Sequence, residues 1–531
     1  MHIAIIGGGS AAVGLLDALA IGEAHPEAGE VTVFEPAANL WRGRPYGPDL
    51  DSVLVNSPPA IMSIRGSDPG HYASWLGPER TAAHLDGLLG QPLVPRSLYG
   101  EYLTDTAEAA LSRLREQGWR TRIVTSKVVA VTRDPHSAVR TEDGAVTRGS
   151  RSAARTGDGA VARGAQLVLR TGDGHEYAAD QVVVCVGVGT PQDHYGLAGA
   201  PGFVGDPYPL AYTLDQVPAG AGVAVIGSGL TAVDVVVSLA ARGHTGPITL
   251  VSRSGMLPAV WQRPLGHQRR HLTVERVEAL RRAYGVVTLD DLTGLLRAEL
   301  DEVGEDLAPL TAELLSAGSE PPAERLRRQL AAVDDPAIAR RVLQESAHAV
   351  GAYAWRLLPE PDRDRLRRYS RLAVGVASPM VPVNAVTLLR LFDSGQLSVV
   401  AGVSKVEALE TGLQKAGLPR RAAEAELQEA GLLRGVGGFR VRGDGADLYV
   451  DVAINAVNPP PQAVPRTAEP LVTSLLADGL AALHPAGGLV PADPRLHVLG
   501  DMAGGGSFIT SGIPGIAAQG VRVAGELTGQ A

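Results

Sequence analysis

Two glycine-rich segments of the sequence each stand between an apolar strand-like run and an apolar helical pattern. The first, Gly7-Gly8-Gly9-Ser10-Ala11-Ala12, follows residues 2–6. In this G-x-G-x-x-A spacing the first glycine makes a tight turn, the second lets the backbone approach a pyrophosphate, and the small last residue packs helix on strand. The next strand-like run ends in Glu35, whose carboxylate could accept hydrogen bonds from a ribose diol. These features predict a dinucleotide site.

The second segment, Gly227-Ser228-Gly229-Leu230-Thr231-Ala232, repeats this arrangement. Here the following strand, residues 248–251, ends in Ser252-Arg253 instead of an acid. A carboxylate would repel a 2′-phosphate, whereas a hydroxyl and a guanidinium would bind it, so this site favours NADPH over NADH. Two such units in one chain predict a two-dinucleotide flavoprotein, with FAD at the first site and NADPH at the second.

Three further segments fit this arrangement. Residues 180–187 and 451–458 are matched strand patterns, each beginning with an aspartate. Near the C-terminus, Gly500-Asp501 follows a short apolar run and precedes a helical pattern that starts at Gly512-Ile513. This last segment resembles the G-D motif of two-dinucleotide flavoproteins. The resemblance implies that Asp501 holds the ribityl chain or pyrophosphate, and that the helix directs its N-terminus at the flavin pyrimidine edge.

Residues 45–63, 71–76 and 94–103 make the resemblance more specific, together with 229–234 and 252–258. They resemble the bacterial FAD/NAD(P)-binding oxidoreductases related to N-hydroxylating flavin monooxygenases, a family that includes enzymes oxidising the amine of aspartate to nitrosuccinate. The resemblance and the two fingerprints assign FAD to Gly7, Gly9, Ser10, Ala11, Ala12, Glu35, Trp41, Arg42, Tyr46, Asn56, Met62, Ser63, Gly187, Gly500, Asp501, Gly512 and Ile513. They assign NADPH to Gly227, Ser228, Gly229, Leu230, Thr231, Ser252 and Arg253.

The elements that position these residues predict an α/β protein with two Rossmann-like domains and a helical insertion. We expect the FAD-binding domain at 1–205 and 459–531, and the NADPH-binding domain at 206–271 and 372–458. Residues 272–371 have a helical pattern, with Leu292, Leu295, Leu296, Leu300 and Val303 on one face. This insertion could be a substrate or lid domain, or a purely structural bundle. A 15-residue tandem repeat occupies 140–174, and its last copy is expected to form a hairpin.

Composition narrows the range of functions. A chain of 531 residues is too long for a single hydrophobic core, so we expect more than one domain. The net charge of −9 argues against nucleic-acid binding. No apolar run reaches the length of a membrane helix, and no secretion signal precedes Gly7, so we expect a cytoplasmic protein. The single cysteine, Cys185, lies in an apolar strand pattern and excludes a dithiol pair or zinc cluster. We expect no metal, and the sequence leaves open whether the chain forms a homo-oligomer.

Without a dithiol, electrons from NADPH and FAD can pass to O₂, to an organic substrate, or to a protein or quinone. The resemblance favours a C4a-hydroperoxyflavin that N-oxygenates an amine or small amino acid, with aspartate as the first candidate. No side-chain nucleophile is required, and no catalytic residue is assigned. An acidic substrate would need cationic partners, for which Arg44, Arg65 and Arg96 are candidates, together with Arg42. Two alternatives stay open: an FAD-dependent NAD(P)H reductase without oxygen insertion, and a flavin-binding regulatory protein without turnover.

Overall fold

The computed structural model describes residues 1–22, 29–133, 166–409, 438–505 and 512–529. Its strands are β1 (His2–Ile6), β2 (Glu30–Phe34), β3 (Arg120–Val124), β4 (Val128–Arg133), β5 (Leu167–Thr171), β6 (Glu176–Ala179), β7 (Gln181–Val184), β8 (Phe203–Val204), β9 (Val223–Ile226), β10 (Ile248–Val251), β11 (Leu397–Val400), β12 (Lys405–Ala408), β13 (Phe439–Gly443), β14 (Ala446–Val450), β15 (Val452–Asn455), β16 (Ala481–Leu483), β17 (Leu489–Pro491) and β18 (Leu496–Val498).

The helices alternate with these strands at both ends of the chain and follow one another in its middle. They are α1 (Ser10–Ile21), α2 (His71–Ala83), α3 (Arg96–Glu116), α4 (Leu210–Thr213), α5 (Leu230–Ala241), α6 (Val274–Tyr284), α7 (Leu289–Asp301), α8 (Ala308–Ser316), α9 (Pro322–Ala331), α10 (Ala339–Ala349), α11 (Gly351–Leu357), α12 (Glu360–Arg368), α13 (Ser370–Ala377), α14 (Pro382–Asp393), α15 (Glu469–Ala477) and α16 (Ile513–Thr528). None of the helices in the described ranges is both long and apolar enough to cross a membrane.

The structure contains two five-stranded parallel sheets, and four strands of each have the same order: β1, β2, β3 and β7 in the first, and β9, β10, β11 and β15 in the second. Within each unit these are the first, second, third and fourth strands. The fifth strand differs, because β18 is the last strand of the chain whereas β8 precedes β9. The first runs β3-β2-β1-β7-β18 and the second β11-β10-β9-β15-β8, so each fingerprint strand lies in the centre of its sheet. A three-stranded antiparallel sheet stands between the third and fourth strands of each unit, β4-β5-β6 in one and β12-β13-β14 in the other. The predicted fold class, with two Rossmann-like units and a helical region, is confirmed.

The aspartates that precede the matched strands have equivalent contacts. Asp180 accepts a hydrogen bond from the backbone nitrogen of His2 at 2.7 Å, and Asp451 accepts one from Gly222 at 2.7 Å. Each carboxylate therefore ties the start of the fourth strand to the start of the first. Cys185, just after β7, is only 3% exposed, and burial raises the pKa of its thiol. It is a buried apolar residue, as the sequence predicts.

The C-terminal helix returns to the N-terminal unit and packs closely on α1. A Cβ added to Gly520 would lie 2.9 Å from the backbone carbon of Gly14, so the two helices touch backbone to backbone. This contact completes the first unit from two distant parts of the sequence. Ile513, the first residue of α16, belongs to the same buried apolar cluster as Ala11 and Ala12 of α1.

The helical insertion leaves the second unit after β10 and returns through α14. Leu296 and Leu300 are buried, but α7 ends at Asp301, so Val303 lies beyond the helix and is 48% exposed, unlike its expected place on the apolar face. Helix α13 runs to Ala377, so the expected boundary at residue 371 falls inside a helix. Trp355 Nε1 donates to the carbonyl of Gly505 at 3.1 Å, which joins the insertion to the first unit.

The tandem repeat falls mostly outside the described residues, because positions 134–165 are not among them. Its last copy, residues 170–174, lies at the turn between β5 and β6. There the backbone nitrogen of Gly174 donates to the carbonyl of Thr171 at 3.0 Å. The expected hairpin is present at this copy.

A buried ion pair joins the two dinucleotide units. Arg96, at the start of α3, contacts Asp234 of α5 at 2.6 Å and the Tyr208 hydroxyl at 3.0 Å. Asp234 is fully buried, which raises the pKa of its carboxyl, and the Arg96 guanidinium opposes that effect. Tyr208 also donates to Asp234. Because the pair is buried, removing either partner should destabilise the folded protein.

We expect Asp234→Ala to lower the free energy of unfolding by about 3–5 kcal/mol, because it leaves a buried guanidinium without its carboxylate. The exposed pair between Asp215 and Arg242 provides the control. Asp215→Ala should lower the free energy of unfolding by less than about 1 kcal/mol, because exposed ion pairs contribute little to stability. Chemical denaturation of the FAD-loaded protein measures both changes. Equal losses would contradict the structural role of the buried pair.

Candidate functional site

The first fingerprint forms a turn that has no room for a side chain at its first glycine. Gly7 has a φ of +104°, and a Cβ there would lie 2.6 Å from the carbonyl oxygen of Cys185. Gly9 begins α1, and a Cβ at that position would meet only the Cα of Gly43, at 3.6 Å. A ligand could therefore approach the protein backbone closely at Gly9.

Glu35 is fixed at the end of β2 by backbone donors. One carboxylate oxygen accepts from the nitrogen of Gly8 at 2.7 Å, and the other accepts from Ala37 at 2.8 Å. The side chain remains half-buried, so its oxygens have further acceptor capacity toward a ribose diol. The expected acid thus lies directly beside the expected turn.

The segment after β2 folds back over the turn. Trp41 has a φ of +71° and is buried, and its backbone nitrogen donates to the carbonyl of Gly8 at 2.7 Å. A Cβ on Gly100 of α3 would lie 2.1 Å from the carbonyl oxygen of Tyr46 and 3.2 Å from Cδ of Arg42. Burial raises the pKa of Tyr46 to about 12. Three residues assigned to FAD are thereby held next to the fingerprint.

The C-terminal G-D motif converges on the same turn. Gly500 has a φ of +90°, and a Cβ there would lie 3.4 Å from Cβ of Ala11. Asp501 is buried and accepts from the backbone nitrogen of Gln462 at 3.3 Å. Gly512 caps α16 directly before Ile513. Motifs almost 500 residues apart are therefore neighbours at α1.

The remaining residues assigned to FAD lie after β7 and on the segment before α2. Met62 accepts a hydrogen bond at its carbonyl from the Tyr99 hydroxyl at 2.8 Å, and Ser63 donates to the carbonyl of Asp68 at 2.6 Å. The carbonyl of Asn56 accepts from Trp261 Nε1 at 2.7 Å. Gly187 has no atom within 4 Å of an added Cβ.

The second fingerprint reproduces the first turn. Gly227 has a φ of +119°, and a Cβ there would lie 3.0 Å from the carbonyl oxygen of Ala456. Gly229 begins α5, where an added Cβ meets nothing within 4 Å. Thr231, one residue beyond Leu230, accepts from the Asn458 side chain at 3.1 Å. The open space before α5 fits a pyrophosphate as well as the space before α1.

Both fingerprint helices begin without a side-chain cap. Neither Gly9 nor Gly229 provides one, and neither first turn contains an acid. The first backbone N–H groups of α1 and α5 therefore remain available, and they favour an anion. At both helices the backbone amides are uncapped, and the glycine N-caps leave open space in front of them. These features fit the phosphates of two dinucleotides.

The end of β10 differs from the end of β2 in the way the sequence indicates. Ser252 Oγ lies 3.0 Å from Ser228 Oγ and accepts from the backbone nitrogen of Gly255 at 2.9 Å. Arg253 is exposed, and it has no ion-pair partner within the described residues. A free guanidinium beside an anchored hydroxyl is suited to a 2′-phosphate.

The three arginines considered for an acidic substrate each have a carboxylate partner already. Arg44 pairs with Asp206, Arg65 with Asp17 at 2.8 Å, and Arg96 with Asp234. Their charges are thus compensated within the chain. Arg42 differs, because no ion pair involves it in the part of the chain that the structure describes. Since it also lies beside Tyr46, it is the better-placed cation of that segment.

A polar cluster that the sequence did not indicate lies where the insertion meets the first unit. The His348 ring of α10 stacks on Trp261, with ring centroids 6.0 Å apart and planes 22° apart. A Cβ on Gly512 would lie 3.8 Å from His348 Nδ1. Three buried atoms here have no hydrogen-bond partner among the described residues: His348 Nε2, Asn56 Oδ1 and Gln344 Oε1. Burial lowers the pKa of His348, against the effect of the Ala377 carbonyl, so the imidazole is neutral near pH 7.

These geometries agree with the comparisons to known proteins. Residues 4–157 match the FAD-NAD(P)-binding family. That match covers less than a third of the chain and includes the first fingerprint and the segments flanking it. No curated protein matches the sequence. The resemblance inferred from the sequence is confirmed at this level.

Solved structures share the whole fold. L-lysine 6-monooxygenase from Pseudomonas syringae superposes with a TM-score of 0.54 at 15% identity, over 99% of this chain and 98% of that one. The FAD-bound cadaverine monooxygenase of the desferrioxamine pathway from Erwinia amylovora has a TM-score of 0.54 at 11% identity, over 99% and 94%. The chain thus has the fold of N-hydroxylating flavin monooxygenases, and identities this low leave the substrate open.

We expect Gly9→Ala to weaken FAD binding at least about tenfold, or about 1.4 kcal/mol, because the methyl group occupies the path of the pyrophosphate. The fold itself should tolerate the change, since the added Cβ meets only Gly43. Gly294→Ala, at an exposed position of α7 with nothing near its added Cβ, is the matched control. Flavin absorbance of the purified proteins measures retention, and equal FAD content would refute the assignment.

We expect Arg253→Ala to weaken NADPH binding by about 1.5–3 kcal/mol, because a charge-assisted contact to the 2′-phosphate is lost. NADH binding should be unchanged. Arg276→Ala, at an exposed position on α6, controls for the loss of one surface charge. Titration of the oxidised protein with each nucleotide measures these affinities. If NADPH and NADH were weakened equally, Arg253 would not be reading the phosphate.

Proposed function

We propose that this chain is an FAD- and NADPH-dependent monooxygenase that N-oxygenates an amine or small amino acid, with aspartate as the first candidate. The observation that supports it most is the pair of similar dinucleotide units, whose second strands end in different residues at the position where a cofactor would be distinguished. Glu35 ends β2 in one unit, and Ser252-Arg253 follows β10 in the other. When bound, FAD would supply the oxygen-activating chemistry.

The chain's own residues bind and separate the two cofactors. The uncapped helices α1 and α5 each receive a pyrophosphate, Asp501 approaches the first cofactor from the C-terminal segment, and Glu35 accepts from its ribose. The Arg96–Asp234 pair maintains the contact between the two units. In this proposal, an NADPH reductant and an FAD acceptor bind to two units that are joined by a buried ion pair.

The amine site belongs, in this proposal, to the polar cluster of His348, Asn56 and Gln344. An amine must be unprotonated to act as a nucleophile, and a neutral imidazole can accept a hydrogen bond from its N–H without requiring a charge. The three unpartnered atoms are the groups that a small polar substrate would satisfy. Trp261, stacked on His348, excludes water from one side. Arg42 is the proposed partner for a substrate carboxylate.

The test supplies the FAD-loaded protein with NADPH and air, together with aspartate, other amino acids and diamines. We expect one amine to yield a hydroxylamine, nitroso or nitro product by mass spectrometry, with O₂ consumed in proportion. The rate should rise from about pH 7 to about pH 9, because more of the amine is unprotonated. H₂O₂ alone with every amine would refute the N-oxygenase. Rapid transfer to a quinone with no oxygenated product would favour the reductase alternative.

The variant His348→Ala tests the position of the amine site in the same assay. It should lower the ratio of product formed to NADPH consumed and raise the KM for the amine, while reduction of the flavin by NADPH is unchanged. His175→Ala, at an exposed position beside the β5–β6 turn, is the control. Unchanged coupling in His348→Ala would place the amine elsewhere without affecting the cofactor assignments.

A further inference from the structure

A cavity of about 240 Å³ lies where the helical insertion meets the second dinucleotide unit. The loop of residues 254–258, which directly follows Ser252-Arg253, forms one wall, and Val399 and Ala401 at the end of β11 form the floor. The connection between α8 and α9 and the first turns of α9 close the opposite side. Ser254 and Gly255, the next residues after Arg253, are among its lining residues.

Arg325 of α9 lines this cavity and is only 5% exposed. Its Nη1 donates to the carbonyl of Leu257 at 3.3 Å, and its Nε has no hydrogen-bond partner in the ranges that the structure describes. In the described part of the chain no carboxylate pairs with it. A buried guanidinium without an anion is costly, so this position indicates a missing partner.

The charges around Arg325 do not cancel. Glu320 is held by Arg328 through contacts of 2.6 and 3.1 Å, and Glu313 pairs with both Arg340 and Arg328. Three guanidinium groups therefore face two carboxylates. The one left over is Arg325, and it is also the one that lines the cavity. Burial lowers the pKa of Arg325, although the nearby Glu313 and Glu320 act in the opposite direction. A lowered pKa is expected for a guanidinium that is removed from water without a paired anion.

We propose that Arg325 is a second ligand for the 2′-phosphate of NADPH, so that the insertion closes the adenosine end of the nucleotide site. In dinucleotide folds the ribose of this half lies beyond the second strand, which here ends immediately before Ser252-Arg253 and the cavity wall. Arg253 contacts the phosphate from the exposed side, and Arg325 contacts it from the cavity. This inference rests on the proposed NADPH specificity and extends it to a residue of the insertion.

The test measures binding of 2′,5′-ADP and of 5′-ADP to the oxidised, FAD-loaded protein by calorimetry. Arg325→Met keeps the buried volume but removes the charge, so it should weaken 2′,5′-ADP at least tenfold and leave 5′-ADP unchanged. Its melting temperature should not fall, because an unpaired buried charge is removed. Arg276→Met on α6 is the control. Equal affinities for 2′,5′-ADP in wild type and Arg325→Met, or an equal loss for both ligands, would overturn the proposal.

A measurement on the unchanged protein gives an independent check. Hydrogen exchange of residues 317–329 should slow with 2′,5′-ADP and not with 5′-ADP, since only the former carries the phosphate that Arg325 binds. Slowing confined to residues 252–258 would overturn the role of Arg325 and leave NADPH binding intact. Absence of any 2′,5′-ADP binding by the wild type would overturn both this inference and the proposed NADPH specificity. All of these readouts are independent of amine oxidation.

Discussion

The close approach of each fingerprint glycine to the neighbouring strand determines where this molecule can bind a dinucleotide. At Gly7 the nearest atom to an added Cβ is the carbonyl oxygen of Cys185, and at Gly227 it is that of Ala456. Both carbonyls follow the fourth strand of their sheet. Because no side chain fits there, the first strand turns sharply into its helix, and the helix N-terminus opens onto the carboxyl edge of the sheet. Glu35 and Ser252 follow the second strand of their sheets at this edge, and Asp501 directly follows Gly500, which lies close to Ala11 of α1.

Much of this edge could be predicted from the sequence, because the information is local. A glycine spacing, an apolar strand and the residue that ends the next strand together define a dinucleotide unit within about 30 residues. The aspartates before β7 and β15 were predicted only as a pattern. In the structure, Asp180 accepts a hydrogen bond from the backbone at the start of β1, and Asp451 accepts one from the backbone just before β9. The same local patterning predicted that residues after 272 are helical.

Contacts between distant segments could not be predicted in this way. Arg96 lies on a segment flanking the first fingerprint, which made it a reasonable substrate ligand. Its partner, Asp234, lies 138 residues later on α5, and only the assembly of the two dinucleotide units brings the two side chains together. His348 and Arg325 were hidden for a related reason. Each lies on an amphipathic helix whose apolar spacing gives no indication of which polar residue faces an adjoining domain.

Among the described residues, the insertion has unsatisfied polar groups at its borders with both dinucleotide units. His348 on α10 faces the first unit near Gly512, and Arg325 on α9 faces the second unit beyond Ser252-Arg253. An insertion that only filled space would bury apolar side chains at both borders, since orphaned polar atoms reduce stability. Here α7 and α10 bury apolar side chains around Leu300 and Val342, and Leu326 of α9 packs into the core of the second unit. Within the described residues the borders also retain an imidazole nitrogen without a hydrogen-bond partner and a guanidinium without an ion-pair partner. A ligand bound at a border could satisfy these groups and restore the stability that their burial costs. These two border groups are the contacts that the proposed amine site and the proposed 2′-phosphate site would use.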